Sequence, residues 1–132
     1  MSGGWQAVDE YISGKLLGDG DALAAALANN KVHGLPPIDV SAAQGKMLFL
    51  LAQIAGARHI LEVGTLGGYS TIWLARALPE GGRLVTLEID PGHAGVAREN
   101  LERAGVSDRV DIIVGPASAS LAAMSGEPPF DF

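Results

Sequence analysis

Cysteine is absent from the sequence. That excludes disulfides, thiolate-ligated metals and a thiol nucleophile. Basic residues are few: nine Lys and Arg stand against fifteen Asp and Glu, a net charge of −6. An acidic chain without a Lys/Arg cluster is poorly suited to tracking a nucleic-acid backbone or an anionic membrane surface. Apolar runs are short, and a stretch such as Met47–Ala52 cannot span a bilayer. Met1–Gln6 lacks the basic segment and apolar run of a signal peptide. The three histidines, His33, His59 and His93, share no ligand-like spacing and read as structural. These absences leave a soluble, cytoplasmic protein acting on a small molecule as the expectation, with neither nucleic acid nor membrane as a partner.

What is present suits one packed domain, residues 1–132: apolar residues make up 48% of the chain and charged residues 18%, enough for a core and too little charge for disorder. Residues 1–56 read as a helical segment. Trp5, Val8, Tyr11 and Ile12 recur at helical spacing, predicting an amphipathic helix over Trp5–Leu17. The Ala/Leu-rich stretch Asp21–Asn29 predicts a second helix, its end marked by Asn29, Asn30 and Gly34. Leu35-Pro36-Pro37-Ile38 is an extended connector, because a residue before proline is driven out of the helical region. Ser41-Ala42-Ala43-Gln44 has the spacing of a capping box and opens a third helix to about Ala55, with Met47, Leu50, Leu51 and Ile54 at helical spacing along it.

From residue 57 the pattern alternates. His59–Val63 is an apolar strand, Tyr69–Leu78 a helix, and Arg83–Ile89 a second strand. Asp90-Pro91 places a cap residue before a proline at the first helical position, opening a helix that stops at Gly105. Val110–Val114 is a third strand and Ala117–Met124 a further helix. Phe130–Phe132 begins a fourth strand, expected beside the first. Strands and helices in this order predict an α/β, Rossmann-like parallel sheet. Ligands of such sheets sit at the carboxyl ends of the strands.

Three loops lie at those ends. Glu62-Val63-Gly64-Thr65-Leu66-Gly67-Gly68-Tyr69-Ser70 joins a strand to a helix through glycines that let a ligand approach the backbone. Ser70 adds a hydroxyl at the helix N-terminus, where a carboxylate or phosphate is favoured. The dinucleotide fingerprint needs a glycine where Leu66 stands, which argues against NAD; the amino-acid end of S-adenosylmethionine (SAM) has no pyrophosphate to seat there. Glu88, ending the second strand, is placed to accept the two hydroxyls of an adenosyl ribose, or else is a solvated carboxylate. Glu62 lies within an apolar strand, where a carboxylate needs partners. It either organises the loop and a ligand's amino group or caps loop N–H groups. Trp73 reads as helix packing rather than as an adenine platform.

The run Ile60-Leu61-Glu62-Val63-Gly64-Thr65-Leu66-Gly67-Gly68-Tyr69-Ser70-Thr71 resembles the first motif of the cation-dependent O-methyltransferases, the group of catechol and caffeoyl-CoA O-methyltransferases and their bacterial relatives. Val40–Leu48, Leu84–Pro91 and Ala104–Val110 agree with it, in order. The resemblance implies a SAM-methyltransferase fold and methyl transfer from SAM to a hydroxyl of a small catechol-like or phenolic acceptor; the apolar edge left on His59–Val63 where most of the fourth strand is missing predicts a homo-oligomer. The resemblance implies SAM contacts at Val40, Glu62, Gly64, Thr65, Ser70, Glu88, Ile89 and Ala117, with Pro116 a departure that removes a donor near the adenine. It also implies a divalent cation, Mg, but the family's metal ligands and its lysine base would lie beyond Phe132. Asp131 matches an earlier aspartate and not a metal ligand. The expectation is therefore a chain truncated at its C-terminus, with the C-terminal half of the sheet missing. Such a chain would hold the cofactor-binding half of the enzyme, carry no catalytic or metal residues, and be inactive by itself. A non-catalytic SAM-binding domain and an NAD-dependent oxidoreductase fragment are the alternatives.

Overall fold

The computed structural model describes residues 3–18, 20–126 and 128–132. Three helices precede the alternating part: α1 (Gly3–Leu16), α2 (Asp21–Val32) and α3 (Ala42–Ile54). They are followed by β1 (His59–Val63), α4 (Tyr69–Ala77), β2 (Arg83–Glu88), α5 (Pro91–Arg103), β3 (Val110–Val114) and α6 (Ala117–Ala123). The strands form one parallel sheet in the order β1-β2-β3, with His59 opposite Arg83 and Leu84 opposite Val110. Parallel neighbours require crossover connections, and α4 and α5 supply them.

The core is organised around α4. Seven of its nine residues are buried. Ile72 and Trp73 pack with Leu23 and Ala26 of α2 and with Leu101 of α5, while Leu74 and Ala77 join Ala52, Ile60 and Leu84. Trp73 stands edge-on to Phe49, with ring centroids 6.2 Å apart, so its role is helix packing. Its indole lies so close to α3 that a Cβ at Gly45 would overlap it.

The caps follow the sequence. Ser41 Oγ accepts from Gln44 N at 3.1 Å and Gln44 Oε1 accepts from Ser41 N at 2.8 Å. Asp90 caps α5 by accepting from the N–H groups of Gly92 and His93. Two expectations change. Helix α2 does not end at Asn29 and Asn30 but continues to Val32. Their side chains bond to distant parts of the molecule and so do not compete for the helix's own backbone. The apolar stripes of α1 and α3 do not face the core: Trp5 is 82% exposed and Ile54 83%. Small residues, Gly45 and Ala52, make the buried face of α3 instead.

The outer edge of β1 meets Phe130–Phe132, as the position of the expected fourth strand requires. Asp131 N donates to His59 O at 2.9 Å, and Leu61 N donates to Phe132 O at 3.0 Å. The Asp131 carboxylate accepts from the N–H groups of Arg58 and His59, and these bonds hold its pKa below the ordinary aspartate value.

Candidate functional site

The carboxyl ends of β1 and β2 open into a cavity of about 280 Å³. Pro36, Ile38, Asp39 and Val40 of the connector form one wall, and Gly64–Leu66 with Tyr69 and Ser70 form the other; Glu88 and His93 also line it. A larger cavity of about 500 Å³ lies among α1, α2 and α4, lined by residues such as Leu17, Leu23 and Leu27. It adjoins the smaller cavity at Tyr69 but lies on the helical side, away from the glycine loop and Glu88, and among the described residues Tyr69 is its one titratable lining group. Position and chemistry favour the smaller one as the site.

Glu88 fixes the shape of the glycine loop. Its Oε2 accepts from Thr65 N at 3.1 Å and Leu66 N at 2.8 Å, and its Oε1 accepts from Asp90 N at 3.0 Å. His93 Nδ1 stands 3.7 Å from Oε1. The side chain is 7% exposed, so these N–H groups replace the water it gives up. They also hold Leu66 at φ +51°, a left-handed backbone that costs a non-glycine residue about 1–3 kcal/mol and needs such support. Gly64, at φ +96°, reaches its conformation without that cost. A Cβ at Gly64 would meet open space, whereas one at Gly67 would overlap the Asn30 amide.

Glu62 is turned inward and gathers hydroxyls. Ser70 Oγ and Thr71 Oγ1 donate at 2.7 and 2.6 Å, and Thr86 Oγ1 donates at 2.8 Å, itself 2.7 Å from Thr65 Oγ1. Burial raises the carboxyl's pKa, and the three hydroxyl bonds pull against that rise. Glu62 caps no loop N–H, since Glu88 does that; it organises the loop through the Ser70 hydroxyl, from behind the cavity lining.

Asparagines tie the loop to the helices. Asn100 Nδ2 donates to Gly67 O at 2.8 Å and to Asn30 Oδ1 at 2.9 Å; its Oδ1 accepts from Asn29 at 3.0 Å and Arg103 at 3.2 Å. Asn30 Nδ2 donates to Asp39 Oδ1 at 3.0 Å. The wall that carries Val40 is thereby fixed to the wall that carries Gly64.

Of the eight positions singled out in the sequence, Val40, Gly64, Thr65, Ser70 and Glu88 border this cavity. Glu62 lies behind Ser70. Ile89, 71% exposed, and Ala117, the first residue of α6, lie outside its lining. Sequence reasoning missed Asp39, which sits in a connector read only for its prolines. It also took His93 for a structural residue of a helix face. The signal for His93 was its place three residues after the Asp90 cap, which puts it in the first turn of α5 above Glu88. Among the described residues no group of three or more His, Cys, Asp or Glu is arranged to hold a metal ion. The cation implied by the resemblance therefore finds no ligand set here, and no chemical step is assigned to it. Nor does any described helix have the length and apolarity to cross a membrane.

Residues 19–132 match the family model described as O-methyltransferase. A catechol O-methyltransferase of Mycobacterium tuberculosis is 57% identical over 121 residues, covering 92% of this chain and 55% of that protein. The crystal structure of an O-methyltransferase from Bacillus cereus in complex with SAH superposes with a TM-score of 0.97 at 53% identity, covering 100% of this chain and 61% of that one. TomG from Streptomyces achromogenes, an O-methyltransferase involved in tomaymycin synthesis and solved with SAM, gives 0.89 at 47% identity, covering 94% and 56%. The chain thus spans somewhat over half the length of the relatives it matches, and its sheet and loops follow theirs. It belongs to the O-methyltransferase family.

Proposed function

We propose that the cavity between the connector and the glycine loop binds SAM, and that the chain forms the cofactor-binding part of an enzyme that methylates a hydroxyl of a small catechol-like or phenolic acceptor. The observation that carries this reading is the buried Glu88 carboxylate, fixed by three backbone N–H groups at the mouth of a glycine loop. The names of the relatives, with SAM or SAH present in two of the solved structures, support it.

When bound, SAM supplies a methyl group activated by a sulfonium. The chain's residues bind and orient it. Glu88 accepts a ribose hydroxyl at Oε1, which only Asp90 N–H engages, while Oε2 is taken up by the loop. Gly64 and Thr65 bring bare backbone against the methionine end, and Val40 closes over it. The Ser70 hydroxyl already donates its hydrogen bond to Glu62, so Ser70 would meet a ligand carboxylate through backbone N–H in the first turn of α4, where Gly68 leaves the helix without a side-chain cap. Glu62 acts at one remove, holding Ser70, Thr71 and Thr86 in register. The adenine would extend past Glu88 toward Ile89, the next residue, and toward Ala117, two residues after Gly115, whose N–H donates to Glu88 O at 2.9 Å. The apolar face shared by α1 and α3, including Ile12, Met47 and Ile54, is where copies of the chain would associate.

Isothermal calorimetry with SAM, SAH and NAD tests the reading. Heats are expected for the first two and none for NAD; binding of NAD without SAM or SAH would overturn it.

A further inference from the structure

The three glycines of the glycine loop are glycine for different reasons. Gly64 and Gly68 take left-handed backbone, at φ +96° and +82°, and Gly67 does not. At Gly67 the Asn30 amide fills the space where a Cβ would stand. Asn30 belongs to α2, is 3% exposed and lies outside the cavity lining. It holds the connector at both ends: its backbone O accepts from Leu35 N at 3.0 Å, and its Nδ2 donates to Asp39 Oδ1 at 3.0 Å. Between these bonds Pro36 and Pro37 bring no N–H of their own. Asn30 is fixed in turn by Asn100 of α5, whose Nδ2 donates both to Asn30 Oδ1 and to Gly67 O. Asn100 is fully buried and its Oδ1 accepts from Asn29 and Arg103, so all four hydrogen-bonding places of its amide are filled. A carboxylate has no protons for the first pair of bonds, and an aliphatic side chain of similar size makes none of the four. The glycine loop, α2, α5 and the connector thus meet in one buried, satisfied network, the kind that rigidifies what it joins.

We propose that Asn30 and Asn100 are positioning residues for cofactor binding. Neither lines the cavity; together they clasp the connector to the glycine loop and set the gap between Val40 and Gly64 before a ligand arrives. The inference rests on the reading that SAM or SAH occupies this cavity. With the clasp closed, the cost of ordering the connector falls on folding instead of on binding, so a ligand that spans the gap binds more tightly. With the clasp open, the same ligand has to order that wall itself.

Calorimetry with SAH on the unsubstituted chain, Asn30→Ala and Leu23→Ala tests the assignment. Leu23 is buried in the core on the same helix and lies outside the cavity lining. Both substitutions should lower the urea midpoint. Asn30→Ala should also weaken SAH binding by about five- to tenfold, the scale of one or two side chains that the ligand must now order. Leu23→Ala should leave the dissociation constant unchanged. An unaltered affinity in Asn30→Ala, or an equal loss in both variants, would overturn the assignment while leaving SAM binding intact. Should either buried variant not fold, the partly exposed end of the clasp decides. Asp39→Ala removes the acceptor and should weaken SAH binding to a similar extent, while Asp39→Asn keeps an oxygen for Asn30 Nδ2 and should restore it. Full affinity in Asp39→Ala, or no recovery in Asp39→Asn, would overturn the assignment. Asn30→Ala and Asp39→Ala combined should weaken binding no more than the stronger of the two alone, because both open one clasp; additive losses would overturn it. Failure of the unsubstituted chain to bind SAH would overturn the SAM reading and this assignment with it.

Discussion

Glu62 and Glu88 sit near the carboxyl ends of neighbouring strands, and their sequence contexts look alike. Their surroundings separate them: one collects hydroxyls, the other backbone N–H groups. The position of Glu88 was legible because a strand end following a glycine loop has a fixed place in a parallel sheet. The fate of Glu62 was not, since its partners Thr71 and Thr86 come from different elements and no spacing rule joins them. Replacing Glu88 by alanine should therefore do two things. It should weaken SAH binding by about 2 kcal/mol through lost charge-assisted bonds, and it should also destabilise the chain, because the buried N–H of Thr65 would lose its partner. Parallel calorimetry and urea melts check this; an unchanged affinity would remove Glu88 from the site. At Gly67 a methyl group has no space beside Asn30. Gly67→Ala should cost about 1–3 kcal/mol by overpacking, read from the urea midpoint.

At the scale of elements, the alternating half of the chain was readable almost to the residue, and β1 and β3 have the limits their patterns predict. Buried parallel strands and capped helices obey local rules, and the local rules suffice there. The N-terminal helices were readable as helices but not in how they face. A stripe of Met47, Leu50, Leu51 and Ile54 should mark a core face, yet the core takes Gly45 and Ala52, because Trp73 of α4 demands a smooth partner. Helix α2 outran its apparent stop because Asn29 and Asn30 are engaged by Glu99, Asn100 and Asp39, contacts that join distant parts of the chain. The capping box of α3 was legible and is testable. Ser41→Ala removes one of its two bonds and should lower stability by about 1 kcal/mol in a thermal or urea melt. Because the cap adjoins Val40, a change in SAH affinity in the same variant would report on the connector wall.

For the molecule as a whole, stability should respond to pH in two opposed ways. Asp90 and Asp131 have pKa values lowered by backbone N–H groups. The stability they contribute is present above their unfolded values and is lost as pH falls through the lowered ones. Glu62 and Asp39 are raised by burial. Between the unfolded and the raised value the folded chain holds more protons than the unfolded one, so stability declines as pH rises through that window. Glu62→Gln should flatten this decline, as measured by urea melts at a series of pH values; an unaltered slope would show that Glu62 is ionised at no cost. The exposed apolar face of α1 and α3 predicts association, visible as concentration-dependent light scattering, and Ile54→Lys should reduce it.

The grip of Glu88 on the glycine loop bears on how fast the backbone amides of that loop exchange with solvent deuterium. Thr65 N–H and Leu66 N–H share a single carboxylate oxygen in a side chain almost closed to water. They should be protected before any ligand is added, at a level set by opening of the loop rather than by solvent access alone. A ligand that entered a disordered loop would slow both amides greatly. A ligand that enters this one finds the backbone already ordered, loses little entropy there, and should slow them only as far as it stabilises the chain. The exchange times of two adjacent amides, with and without SAH, thus record how much of the site is built by the chain alone.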